Sequence, residues 1–193
     1  MYAENSEGVA RRPLSDDDRR LVTISGSGQL AQATLEGRVF HAANQAHVTT
    51  TEAMALIWTG LGVGNPADSG KNYVMHEFSW GQEVKMNTEG VIGLFCGTIG
   101  DMAQAITPVC GKIGAATSAA LVDNGATIAA PKFLKACGSS MEGAISVAPS
   151  MPPNVIDLQG SIVIPPGYAL LSYTFAIQTS SIQFGFVWEE VDV

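Results

Sequence analysis

From Ile156 to the C-terminus, apolar and polar positions alternate at the two-residue period that puts every second side chain on one face of an extended strand. Asp157 to Ile164 predicts a strand with Leu158, Ile162 and Ile164 on one face. Pro165-Pro-Gly167 predicts the turn after it, where proline fixes φ and glycine permits the reversal. Ala169 to Ile177 continues with Leu171, Tyr173, Phe175 and Ile177 on one face. After a polar link at Gln178-Thr-Ser-Ser181, Ile182, Phe184, Phe186 and Trp188 alternate with Gln183, Gly185, Val187 and Glu189. Each of those four large side chains is worth about 1.5–3 kcal/mol when buried, which predicts a central core strand.

Upstream the same period recurs in shorter pieces. Val39-Phe40 and Val48-Thr-Thr-Thr51 are β-branched and aromatic, and Val91 to Cys96 is a short apolar run suited to a buried strand. Met54 to Trp58 fits a strand or one helical turn. Within Lys71 to Trp80, strict alternation places Val74, His76, Phe78 and Trp80 on one face and Tyr73, Met75, Glu77 and Ser79 on the other. Gly60 to Gly70 is dense in turn residues and predicts a loop. Asp123-Asn-Gly125, between Leu121-Val122 and Ala126-Thr-Ile128, predicts a tight hairpin because Asn-Gly tolerates positive φ. Helical signal is confined to Gly114 to Val122, which fits a short helix. The fold class implied is all-β, a jelly-roll-like β-sandwich with an extended N-terminal arm.

Composition sharpens this reading at the N-terminus. Of the ten Lys and Arg residues, four (Arg11, Arg12, Arg19 and Arg20) crowd near the start, interrupted by Asp16 to Asp18. Leu21-Val-Thr-Ile24 and a Ser25-Gly-Ser-Gly28 spacer follow. Such a segment buries too little surface to fold alone, so residues 1–28 read as an arm and residues 29–193 as the sandwich domain. Arg11, Arg12, Arg19, Arg20, Leu21 and Ile24 are the candidate contacts to a neighbouring subunit. With 46% apolar and 15% charged residues, the chain has the composition of a packed core in its middle and end. A net charge of −8 disfavours nucleic acid and anionic membranes as partners. The start shows no basic region leading into an apolar run, which predicts synthesis and retention in the cytoplasm until assembly.

Chemistry is sparse. Gly64 to Lys71 resembles a phosphate-binding loop only superficially: Asn65 stands where glycine is needed, Asn72 follows the lysine, and Pro66 removes a backbone donor. His41, His47 and His76 match no metal-ligand spacing, and Cys96, Cys110 and Cys137 form no CxxC. The cysteines read as buried free thiols. Glu189, Glu190 and Asp192 read as a solvated terminal cluster. Trp58 and Trp80 would suit a sugar-stacking face, although core packing explains Trp80, Phe78, Phe184 and Trp188 more economically. No nucleophile, base and oxyanion site appear together, so neither catalysis nor a cofactor is expected.

The run Asp157-Leu-Gln-Gly-Ser-Ile-Val-Ile-Pro-Pro-Gly-Tyr168, its following alternating strand, and Phe184-Gly-Phe-Val-Trp-Glu-Glu190 resemble virion proteins of tailed bacteriophages. They are most similar to jelly-roll capsid decoration (cement) proteins. Phe40-His-Ala-Ala43, Trp58-Thr-Gly-Leu-Gly62 and Leu121 to Ile128 are similar in character to phage structural proteins. The resemblance implies a homotrimer on the capsid exterior that clamps the major capsid protein, with no catalytic residues. Strand–Pro-Pro-Gly–strand also occurs in fibre heads, so a head- or tail-fibre receptor- or glycan-binding module is the alternative. A small β-sandwich hydrolase with a hidden triad is the third.

Overall fold

A computed structural model describes residues 3–4, 10–11, 30–51, 54, 56–82, 88–140, 154–178 and 182–193. The chain divides into two compact units, Met1–Gln32 and Ala33–Val193. In the first, β1 (Ala3–Glu4) pairs antiparallel with β2 (Ala10–Arg11), Ala3 opposite Arg11. One short helix, α1 (Ala31–Leu35), precedes the strands of the second unit.

Ten strands make up that second unit: β3 (Val39–Ala43), β4 (Ile57–Gly64), β5 (Lys71–Gln82), β6 (Gly90–Thr98), β7 (Val109–Cys110), β8 (Leu121–Thr127), β9 (Ala129–Ser140), β10 (Asn154–Ile164), β11 (Tyr168–Thr174) and β12 (Ile182–Asp192). They form two antiparallel five-stranded sheets, ordered β10-β5-β12-β3-β7 and β8-β4-β11-β6-β9. Successive strands β3 to β6, and again β10 to β12, alternate between the sheets. No ladder in these two sheets joins consecutive strands, and the pair nearest in sequence is β6 with β9. This is the strand order of a jelly roll, flanked by β7 and β8 as extra edge strands.

β12 lies at the centre of its sheet, as its pattern predicts, and Ile182, Phe184, Phe186 and Trp188 are all buried between the sheets. Phe78 packs on Phe184 and Phe186, while Phe40 and Tyr73 pack on Trp188. Pro165-Pro-Gly167 makes the expected turn, with Gly167 at φ 86° and the Tyr168 N–H donating to the Pro165 carbonyl at 3.3 Å. Its arms diverge: β10 belongs to one sheet and β11 to the other.

The second sheet is apolar on both faces. Leu94 and Leu170 point into the inter-sheet core, while their neighbours Phe95 and Leu171 join a separate cluster with Trp58, Met102, Ala126 and Ile128. Met102 and Ile99, from the connection after β6, pack in this cluster. That packing overturns the loop expected over Gly60 to Gly70. Gly60 to Gly64 belong to β4, and only the residues after them turn. A Cβ on Gly62 would lie 3.0 Å from Trp58, 3.1 Å from Leu171 and 3.1 Å from Met102. The glycines make room for large neighbours.

Other expectations also fail, each for a tertiary reason. Asp123-Asn-Gly125 is no hairpin. It lies inside β8, where the Asp123 carboxylate accepts from the Asn124 and Gly125 N–H groups, opposite a bulge in β4 between Thr59 and Gly62. Val48 to Thr51 makes only an isolated bridge, Val48 to Ile182. Gly114 to Val122 is irregular until β8 starts, not helical. β11 stops at Thr174, leaving Phe175 and Ile177 exposed, and its core-facing positions are Leu170, Ser172 and Thr174 rather than the predicted face. In β5 the buried set changes phase from Tyr73 and Met75 to Phe78 and Trp80. The cause is a bulge at His76: Trp188 pairs with Met75 and Val187 with Glu77.

Candidate functional site

β12 carries its alternation past Trp188, so Glu190 follows the core-facing parity and is 4% exposed. Its carboxylate accepts from the Ser118 hydroxyl at 2.5 Å and pairs with the Lys71 ammonium at 3.3 Å. Burial, and then the Glu190 charge, push the Tyr73 phenol far above its usual range, so it stays neutral. Glu189 turns to the other face. There it pairs with Arg38, which also reaches Glu36 at 2.7 Å, and its second oxygen lies 3.5 Å from His76 Nε2. The solvated terminal cluster expected from the sequence is therefore corrected. Glu189 and Glu190 are structural anchors that tie the end of β12 to the 111–120 connection and to the segment before β3. Only Asp192 among the three is exposed.

His76 is held by the shared bulge. On the β10 side, Asp157 pairs with Glu77 and Ile162 with Met75, so residues 158–161 form a bulge opposite His76, with Gln159 and Gly160 at φ 49° and 70°. Burial lowers the imidazole pKa, and the Asp157 charge opposes that shift in part. His41 and His47 are exposed on β3 and on the following loop. Among the described residues, no three His, Cys, Asp or Glu side chains gather as a metal site. Asn65 organises the former phosphate-loop candidate: fully buried, it donates through Nδ2 to the Lys71 and Ile164 carbonyls at 2.7 and 2.9 Å.

Both candidate sugar-stacking residues, Trp58 and Trp80, are buried, and Trp58 Nε1 donates to the Ser172 carbonyl at 2.9 Å. They are core residues. The three cysteines are free; Cys110 is buried as predicted, whereas Cys96 and Cys137 are half-buried. Of the candidate contact residues, Arg11 lies in β2, while Arg12, Arg19, Arg20, Leu21 and Ile24 fall outside the described residues.

Two clefts remain. One, of about 290 Å³, lies on the outer face of the first sheet and the adjoining 106–109 segment, with His41, Gln45, Glu77, Ser79 and Thr107 around a floor of Ala43 and Gly185. Its polar groups suit a hydroxyl-rich ligand. The other, of about 280 Å³, opens between the sheets on the β9/β10 side and is lined by Cys96, Leu134, Ile162, Val163, Tyr168 and Leu170, among others. It is apolar, with no converging charges.

No family model, curated protein or solved structure matches this chain.

The apolar cleft is what sequence reasoning missed. Its β9 wall, Ala-Ala-Pro-Lys-Phe-Leu-Lys-Ala-Cys-Gly-Ser-Ser, has no clear alternation and contains a proline, a glycine and two lysines. The one available signal was that composition itself, since proline and lysine are typical of sheet edges.

Proposed function

We propose that this chain is a virion structural protein, a decoration or cement protein that binds the outside of a phage head as a homotrimer and stabilises it. The strand order carries the reading: a jelly roll whose β10–Pro-Pro-Gly–β11 corner coincides with the residues that resemble decoration proteins. A fold alone does not name a function. Two further features support this one. The surface is strongly acidic, which suits a position away from packaged DNA and against protein. Exposed apolar residues on the β9/β10 side also suit subunit contacts. The role is mechanical: added contacts between major capsid subunits resist the pressure of the genome. Particles carrying the protein should retain DNA at higher temperature than particles lacking it, measured by dye access to DNA during heating. Equal heat resistance would sink the cement role.

The polar cleft around His41, Gln45 and Glu77 favours a second reading, a glycan-binding module of a fibre. In that case His41→Ala with Glu77→Ala would abolish binding on a glycan array and leave capsid thermostability untouched.

A further inference from the structure

The two long edge strands β9 and β10 lie on the same side of the sandwich, and among the described residues the inter-sheet core is open between them. Leu134, Val163 and Tyr168 line this opening, while Phe133 and Val155 stand on the outward faces of β9 and β10; all five are between 44% and 56% exposed. Phe133 is fixed by an edge-to-face contact with Tyr173, ring centroids 4.8 Å apart.

We infer that the β9/β10 side is the face through which the chain packs against a second copy of itself. Area argues for a macromolecular occupant. At roughly 150–200 Å² per large side chain, about half of it exposed, the three at the opening leave on the order of 250 Å² of apolar surface, with Phe133 and Val155 on its two rims. A standard interface takes about 800 Å² from each partner, a little over half of it apolar. Charge argues that the occupant is another copy. Lys132 and Lys135 flank Phe133 and Leu134 on β9, in a chain whose net charge is −8, so a second copy offers these two lysines a predominantly acidic surface.

The contact is made by side chains and not by adding a strand. Pro131 lacks an N–H, β9 has three register shifts against β6, and β10 is bulged between Asp157 and Ile162. Such features blunt a sheet edge against ladder pairing while leaving its side chains free to pack. This inference does not depend on what the assembled protein coats.

Sedimentation of the full chain tests it. Wild type should sediment as an oligomer, and Leu134→Glu combined with Lys132→Glu should sediment as a single chain with an unchanged β-type circular-dichroism spectrum. Ile113→Glu, at an exposed position on the 111–120 connection, should leave the oligomer intact. Because Cys96 lines the cleft, its alkylation by a maleimide should be slow at high protein concentration and rise severalfold on dilution. The inference is overturned by a wild type that is a single chain at every concentration, by an oligomer that survives the Leu134 variant, or by equal dispersal through Ile113→Glu. A single-chain species whose Cys96 is protected by an uncharged apolar dye would instead assign the cleft to a small ligand, and would overturn it too.

Discussion

The two sides of the sandwich are finished differently. On the β7/β8 side, the core is sealed by its own chain: Ile106, Cys110, Ala120 and Val122 all belong to the inter-sheet cluster, and Ser118 is bonded to buried Glu190. On the β9/β10 side, no comparable plug is present among the described residues, and Leu134 stands at the mouth of an open apolar cleft. Among the described residues, the core is thus closed on one flank and presented on the other. An isolated domain gains from sealing both, because each large apolar side chain left in water forfeits roughly 1.5–3 kcal/mol. The asymmetry makes sense if the open flank is completed by a partner.

The sharpest way to break this contrast is a matched pair of charges. Val122→Asp buries a carboxylate with no partner on the sealed side and should cost more than about 4 kcal/mol, leaving the chain unfolded or nearly so. Val163→Asp, half-exposed on the open side, should change stability of the dispersed chain by less than about 1 kcal/mol. Urea denaturation at low protein concentration measures both; comparable costs would erase the distinction.

A smaller effect is expected at the seal itself. Ser118→Ala removes the hydroxyl that bonds Glu190 and should cost about 1–3 kcal/mol, because the buried carboxylate keeps only Lys71. Local opening should then show as faster site-resolved alkylation of Cys110, with little change at Cys137. An unaltered Cys110 rate would mean that this bond does not hold the connection down.

The smallest effect concerns pH and lies on neither flank, at the His76 bulge. Burial sets the folded-state pKa below the ordinary histidine value of about 6.5, so the unfolded chain takes up the proton first. The stability associated with neutral His76 is therefore complete above that value. It is lost as pH falls toward the folded-state pKa. The groups around the imidazole are Glu77 on its own strand, Asp157 on β10, and Glu189 on β12 with its Arg38 partner. Replacing His76 with Asn should flatten the decline of the denaturation midpoint between neutral and mildly acid pH. A decline as steep as that of wild type would assign it to the carboxylates instead.

Legibility in the sequence follows burial geometry. β12 was readable because one face meets the core along four consecutive alternate positions, so period and burial coincide. β4 and β11 were misjudged because they are covered on both faces, where Gly62 is as necessary as Leu61 and alternation disappears. β9 escaped because an edge strand with exposed residues on both faces is under no pressure to alternate. The Asn-Gly of β8 carries a genuine turn preference, overridden when the Asp123 carboxylate satisfies the local N–H groups within a bulged ladder.

What the sequence determined by itself was the all-β class, the Pro-Pro-Gly corner, the central place of the last strand and the acidic surface. Each follows from local period, backbone restriction or composition, which need no knowledge of neighbours. Only the tertiary structure decided which sheet each strand joins, that Glu189 and Glu190 are anchors, and that one flank of the core is left open among the described residues. Those outcomes depend on which side chains meet across the sandwich. Residues far apart along the chain set them, and no local pattern records such encounters.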